Sequence, residues 1–264
     1  MEDNNNVIAF YENNYKEDER EERETLEFFR SKDIISRYLA KPCMEIADVG
    51  GATGAYSFWL ASMGHQVHLL DLLQNHIEIA KRKSKENGLA LASYLCADAR
   101  ELPYNSECMD MVLLIGALYH LHSPEARVKC LLEAYRVIKP GGLILCTVIN
   151  RWNTVIAPLK YKIFDSYGLE YLEKALTTGA FEKGNFYSHT PDEIIEEITS
   201  AGFNEINLIA VEGIANILGD NKIPADITEA AQLFWGIERT ESLPELIGVS
   251  RNIIAVGSKH IYTS

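Results

Sequence analysis

The sequence predicts an α/β fold, a doubly wound, Rossmann-like sheet. Three observations carry that reading. Short apolar runs alternate with helical-period segments from residue 45 to 150. The runs are apolar almost throughout instead of every second residue, as in parallel strands covered on both faces. A glycine-rich turn joins the first run to the first helix.

The elements follow in order. Residues 1–40 are charged and aromatic, and Leu26, Phe28, Phe29, Ile34, Ile35 and Leu39 recur near helical spacing. They predict one or two helices, stopped by Pro42. Glu45 to Val49 reads as a strand, Ala55 to Met63 as a helix ended by Gly64, and Gln66 to Leu70 as a strand running into Asp71. A helix over Gln74 to Asn87, a strand over Ala92 to Cys96 leading to Asp98, and a strand over Asp110 to Ile115 come next. Ser123 and Pro124 have the chemistry of a helix start, so Pro124 to Ile138 reads as a helix. Pro140-Gly141-Gly142 reads as a turn and Leu143 to Ile149 as a buried strand. Residues 151–190 are rich in Tyr, Phe and Lys and show no clear strand pattern. Thr190 to Ala201 opens as a capped helix, Glu205 to Val211 reads as a strand, 213–247 as helical and Asn252 to Ser258 as a last strand. The expected organisation is an N-terminal helical lid at 1–41, a cofactor-binding core at 42–150, an inserted cap at 151–190, and the other half of the sheet at 191–264 with a helical insertion at 213–247.

Composition narrows the function. The chain has 264 residues, 47% apolar and 24% charged, as in an ordinary globular protein. Its formal charge of −13 repels polyanions, and the one short basic run, Lys81-Arg82-Lys83 with Lys85, reads as a solvated helix face, so nucleic acid is not an expected partner. The five cysteines form no CxxC pair and read as reduced, buried thiols of a cytoplasmic protein. The N-terminus lacks a signal-peptide pattern, and the longest apolar run, Met111 to Leu121, is too short to span a bilayer, so no membrane partner is expected. His65, His68 and His76 are scattered without metal spacing, and His122 reads as a surface residue; no metal is expected.

The turn Gly50-Gly51-Ala52-Thr53-Gly54 lies where ligands bind in open α/β sheets, beyond the carboxyl ends of the strands. Set at Gly50, the dinucleotide pattern G-x-G-x-x-G needs glycines at 52 and 55, which are Ala52 and Ala55. Asp48 adds negative charge beside the turn, which suits a ligand bearing a cation. S-adenosylmethionine has a sulfonium, an ammonium, a carboxylate, a ribose diol and an adenine. Asp48 can organise the turn and face the cationic end, and the turn N–H groups can receive the carboxylate. Asp71, with Leu72 beside it, can accept both ribose hydroxyls. Asp98 can take the adenine amino group, and the N–H of Ala99 a ring nitrogen. Ile115-Gly116 can run past the cofactor.

These residues resemble the class I S-adenosylmethionine-dependent methyltransferases, in the small-molecule, UbiE-like (methyltransferase type 11) subset. The matching stretches are DVGGATG (48–54), HLLDL (68–72), CADARELPY (96–104), DMVLLIGALYHL (110–121) and EAYRVIKPGGLIL (133–145). The resemblance implies a seven-stranded sheet with its last strand antiparallel, and cofactor contacts at Asp48, Gly50, Gly51, Ala52, Gly54, Asp71, Leu72, Asp98, Ala99, Ile115 and Gly116. Ala52 departs from it, since the family usually has glycine there. The implied activity is methyl transfer from S-adenosyl-L-methionine to an O, N or S atom of a small organic acceptor, leaving S-adenosyl-L-homocysteine. His120 is the candidate base, and Tyr119, Tyr11, Tyr15, Tyr187 and His189 are the candidate acceptor-pocket residues. Arg20, Arg23 and Arg30 are weighed against helix partners as cofactor-carboxylate ligands. A Rossmann-like oxidoreductase and a cofactor-binding protein without turnover remain open, as does monomer against homodimer.

Overall fold

In the computed structural model, Ile8 and residues 25–163, 168–181, 186–218 and 222–261 are described. Tyr11, Tyr15, Arg20 and Arg23 lie outside them, as do Phe164, Tyr167 and the first part of the expected lid.

Helix α1 (Thr25–Ser36) leads into β1 (Glu45–Val49), α2 (Ala55–Ser62), β2 (Gln66–Asp71), α3 (Gln74–Asn87), β3 (Ser93–Cys96) and β4 (Met109–Leu114). A 3-10 turn, Leu118–His120, precedes α4 (Pro124–Val137) and the long β5 (Ile138–Asn150). Then come α5 (Asn153–Tyr161), α6 (Leu169–Thr178), β6 (Ala180–Phe181), β7 (Phe186–His189), α7 (Pro191–Ser200), β8 (Asn204–Ala210), α8 (Ala215–Leu218), α9 (Ile227–Thr240), α10 (Pro244–Ile247) and β9 (Asn252–Ser258).

The sheet runs β3-β2-β1-β4-β5, with β9 against β5 and β8 against β9. The first five strands are mutually parallel, and β9 is antiparallel to both neighbours. The strand order turns back at β1, so a crevice opens beyond the carboxyl ends of β1 and β4.

Two strands appear where the sequence shows none. β6 and β7 form a small antiparallel pair inside 151–190. Ile149 is partnered by both Ser188 and Asn252, so β7 and β9 flank β5 on opposite edges. β7 therefore continues the edge that β4 leaves after Leu114. Four residues of partly aromatic, polar composition carry too little periodicity to announce a strand. The expected turn at 140–142 is also absent as a break. It is a bulge within β5, where Met109 and Met111 oppose Ile138 and Leu143, with Gly141 at φ +78°.

Strand alternation divides the core into two layers. Ala47, Val49, Val112 and Leu114 pack toward α4 and α7, with Leu131, Ile194 and Ile198. Ile46, Met111 and Leu113 face the other way, with Ile34, Ile35, Leu60 and Ile77 of α1, α2 and α3. Each fully buried Leu or Ile contributes about 2 kcal/mol of transfer free energy. No described helix is long and apolar enough to cross a membrane.

Several side chains sit otherwise than expected. Of the cysteines, all free, only Cys130 and Cys146 are buried, while Cys43, in the loop before β1, and Cys96, at the end of β3, are exposed. Lys83 of the basic run donates to Thr53 Oγ1 at 3.0 Å and so braces the glycine turn. His122 is half-buried. Buried Arg30 bonds Asp33, Glu241 and the carbonyl of Val211, which fixes α1 to the C-terminal part of the chain.

Candidate active site

A cleft lies beyond the carboxyl ends of β1 to β4. Of the expected cofactor residues, Gly50, Ala52, Asp71, Leu72, Asp98, Ala99, Ile115 and Gly116 line it, and so do Tyr119 and His120. Asp71 reaches it as the last residue of β2, and Asp98 as the second residue past the end of β3.

Two glycines let the loops after β1 and β4 meet. A Cβ at Gly50 would lie 3.1 Å from Ala117 Cβ, and one at Gly116 would lie 3.2 Å from Tyr119 Oη, with both backbones at positive φ. A bare cradle results, shaped for a ligand that passes close to main chain.

Asp48, Gly51 and Gly54 do not line the cleft. Strand alternation turns Asp48 inward, on the Ile46 side, where it is fully buried and accepts from Ser57 Oγ at 2.6 Å. Burial pushes its carboxyl up to about 6, the Ser57 bond opposing and the negative charge of Asp71 adding to the rise. A Cβ at Gly51 would fall 2.6 Å from that carboxylate and 2.5 Å from Leu69, so this glycine makes room for Asp48. Asp48 thus supports the turn from beneath.

The turn's amides are largely engaged by the protein itself. The N–H groups of Gly50 and Gly51 donate to Leu70 O, Gly54 N–H to Gly51 O, and Ala52 N–H to Asp71 Oδ2 at 2.9 Å. These four do not await a carboxylate. Asp71 also accepts from Leu73 N–H at 2.9 Å and lies 3.1 Å from His76 Nδ1, so its orientation is fixed while it still faces the cleft. His76, set aside in the sequence for want of metal spacing, is a cleft residue; its place five residues after Asp71, on the first turn of α3, is the signal that marks it. Asp98 is held by Arg100, which donates from its backbone N–H and Nε to Oδ1 at 2.9 Å and from Nη2 to Oδ2 at 2.6 Å.

Ala52 adopts φ +49°, the left-handed region that costs a non-glycine residue about 1–2 kcal/mol. Ala52→Gly is expected to stabilise the protein by about 1 kcal/mol, read as a melting point about 2 °C higher.

At the far end of the cleft, the 3-10 turn presents Tyr119 and His120. Phe186 packs on both, with ring centroids 5.7 Å from Tyr119 and 5.3 Å from His120. Tyr187 and His189, expected in the pocket, do not line the cleft. The Tyr187 ring lies 3.7 Å from Arg127 Cζ, and His189 Nε2 is 3.2 Å from Glu197 Oε2, fully buried. Burial pushes His189 below the usual imidazole range, Glu197 opposing. The reason is strand period: in β7, residues 187 and 189 face away from the side that 186 presents. Phe186, within the aromatic stretch of the expected cap at 151–190, packs behind Tyr119 and His120 and is outside the cleft lining.

The cleft suits the adenosyl group. It offers the Asp71 carboxylate, an apolar slot at Leu72, Leu73, Ala97 and Leu121, and side-chain-free backbone at Gly50 and Gly116.

Residues 47–146 match the family model described as a methyltransferase domain. The chain is 26% identical over 195 residues to the ubiquinone/menaquinone biosynthesis C-methyltransferase UbiE of Bartonella quintana, covering 67% of this chain and 71% of that one. It is 28% identical over 164 residues to the ubiquinone biosynthesis O-methyltransferase of Cereibacter sphaeroides, covering 62% of each. Two further relatives of the C-methyltransferase type are matched over only 51% and 55% of their length. The structure of Haemonchus contortus phosphoethanolamine N-methyltransferase 2 with S-adenosyl-L-methionine superposes with a TM-score of 0.60, at 18% identity, over 88% of this chain and 53% of that one. The family match lies on the very strands and turns that build the cleft, so over residues 47–146 the chain is similar to the methyltransferase domain.

Proposed function

We propose that the chain methylates an oxygen or carbon atom of a small organic acceptor. The observation that carries this is the cleft itself, with Asp71, Asp98 and the bare cradle on one side and Tyr119 and His120 at its far end. In this reading Asp71 holds the ribose diol, Ala99 N–H and the Asp98 loop hold the adenine edge, and Gly50 and Gly116 border the sulfur. The relatives' names, C- and O-methyltransferase, extend the expected O, N or S atom to carbon. S-adenosyl-L-methionine supplies an activated methyl group. The protein's part is to hold the acceptor in line and exclude water.

The acceptor sits against Tyr119, with His120 beside it. For a phenolic acceptor, His120 removes the hydroxyl proton as the oxygen takes the methyl group. Apolar and aromatic surroundings favour an uncharged ring. The formal charge of −13 disfavours nucleic acid as acceptor.

The test is incubation with S-adenosyl-L-methionine and a panel of phenols, catechols and quinols, with S-adenosyl-L-homocysteine formation as readout. Turnover of at least one is expected; no turnover of any, with the cofactor bound, overturns the reading. His120→Gln is expected to lower turnover of a phenol about a hundredfold. It should leave S-adenosyl-L-homocysteine affinity within about threefold.

A further inference from the structure

Arg127 lies on α4 with its side chain 1% exposed, outside the residues that line the cleft. Its Nη1 donates to the carbonyls of Leu121 and His122, both at 2.9 Å, the two residues that follow the Tyr119-His120 turn. Its Nε donates to Glu197 Oε1 at 2.8 Å, and its Nη2 lies 2.7 Å from the same oxygen. The flat face of the guanidinium covers the Tyr187 ring. One planar cation thus joins three elements: the end of the 3-10 turn, β7 and α7.

The far side of the joint is equally fixed. Glu197 holds His189 through Oε2. Burial raises the Glu197 carboxyl, but bonds from His189 and Arg127 outweigh it and keep the group below the usual carboxylate range. Arg151 donates to Tyr187 Oη at 3.0 Å and to Ser188 O at 2.9 Å, so the ring under Arg127 cannot slide along the strand. Phe186, one residue away, presses on Tyr119 and His120.

We propose that Arg127 is a positioning residue for methyl transfer, setting where Tyr119 and His120 stand and coupling that wall to the inserted strand β7. The proposal rests on the methyltransferase reading given above. The geometry needs an arginine. Two carbonyls lie on one edge of the fork and a carboxylate on the other, with a ring against the plane, and a lysine ammonium cannot span those sites. A shift of about 1 Å in a group that faces the reacting atoms costs up to about a hundredfold in rate.

The experiment compares the native protein with Arg127→Lys in three measurements. Calorimetry with S-adenosyl-L-homocysteine should give affinities within about threefold, since the adenosyl contacts lie on the loops after β1, β2 and β3. In protein labelled with ¹⁵N-histidine, the His120 ring signals, identified by their loss in His120→Gln, should move and titrate at a different pH. For a phenol or quinol that the native protein methylates, kcat should fall about tenfold to a hundredfold with KM little changed. A purely structural arginine would lower the melting temperature and leave the His120 signals in place. That outcome overturns the proposal. Should Arg127→Lys not fold, Glu197→Gln, which keeps an acceptor but removes the charge, is read in the same way: unmoved His120 signals overturn it and displaced ones support it. Absence of any S-adenosyl-L-homocysteine heat in the native protein sinks the methyltransferase reading instead, so the two failures are distinct.

Discussion

Replacing Asp71 with alanine is expected to weaken S-adenosyl-L-homocysteine binding by about a hundredfold or more. Each hydrogen bond to a charged group contributes about 1.5–3 kcal/mol, roughly a factor of ten to a hundred, and two ribose hydroxyls would be lost. The same carboxylate pins Ala52 N–H, Leu73 N–H and His76, so the variant also loosens the glycine turn. A cycle separates the two effects. Calorimetry with a ligand lacking the ribose 2′- and 3′-hydroxyls should show a large loss in the native protein and little further loss in Asp71→Ala. Equal losses in both proteins would refute the assignment of the ribose to Asp71.

The second large effect concerns Asp48 and pH. Its folded value of about 6 stands above the model-peptide value of 3.8, because the group is fully buried. Between those values the native state holds more protons than the unfolded state. Stability therefore falls as pH rises from about 4 through 6 and is flat above. A shift of about two units corresponds to about 3 kcal/mol as an order of magnitude. Asp48→Asn removes the dependence, so the stability difference between variant and native protein should move in the variant's favour from pH 4 to pH 7.5, by urea unfolding at each pH. Ionised Asp48 also favours a cation above it. The preference for S-adenosyl-L-methionine, with its sulfonium, over uncharged-sulfur S-adenosyl-L-homocysteine should shrink below pH 6. A pH-independent ratio would show that Asp48 does not sense the sulfonium.

The core of the fold was legible because parallel strands buried on both faces leave unbroken apolar runs. β1, α3 and β9 have the residue limits that patterning predicts, and α7 has the expected Thr190–Glu193 capping box. Local chemistry also put Asp71, Asp98, Ile115 and Gly116 at the cleft, because a residue at or just past the end of a parallel strand has few other places to go. What failed was what depends on distant partners. β7 is a strand only because β5 outruns β4 and leaves an edge to be filled, and no local signal in Phe186 to His189 records that edge. With no strand expected there, nothing told Phe186 from Tyr187 and His189, and the period of β7 turns the last two away from the side that Phe186 presents to Tyr119 and His120. Asp48 was expected to face the ligand, and strand alternation sent it underneath.

The double pairing of Ile149 bears on how an acceptor molecule comes and goes. Main-chain bonds stitch Ser188 and His189 into the same sheet that forms the floor of the domain. A wall fastened in this way cannot swing like a door, so traffic past Phe186 would require part of the sheet to unzip. Deuterium uptake at the His189 to Arg151 junction, where Arg151 N–H donates to His189 O, should stay slow during turnover, while faster uptake belongs to segments outboard of it.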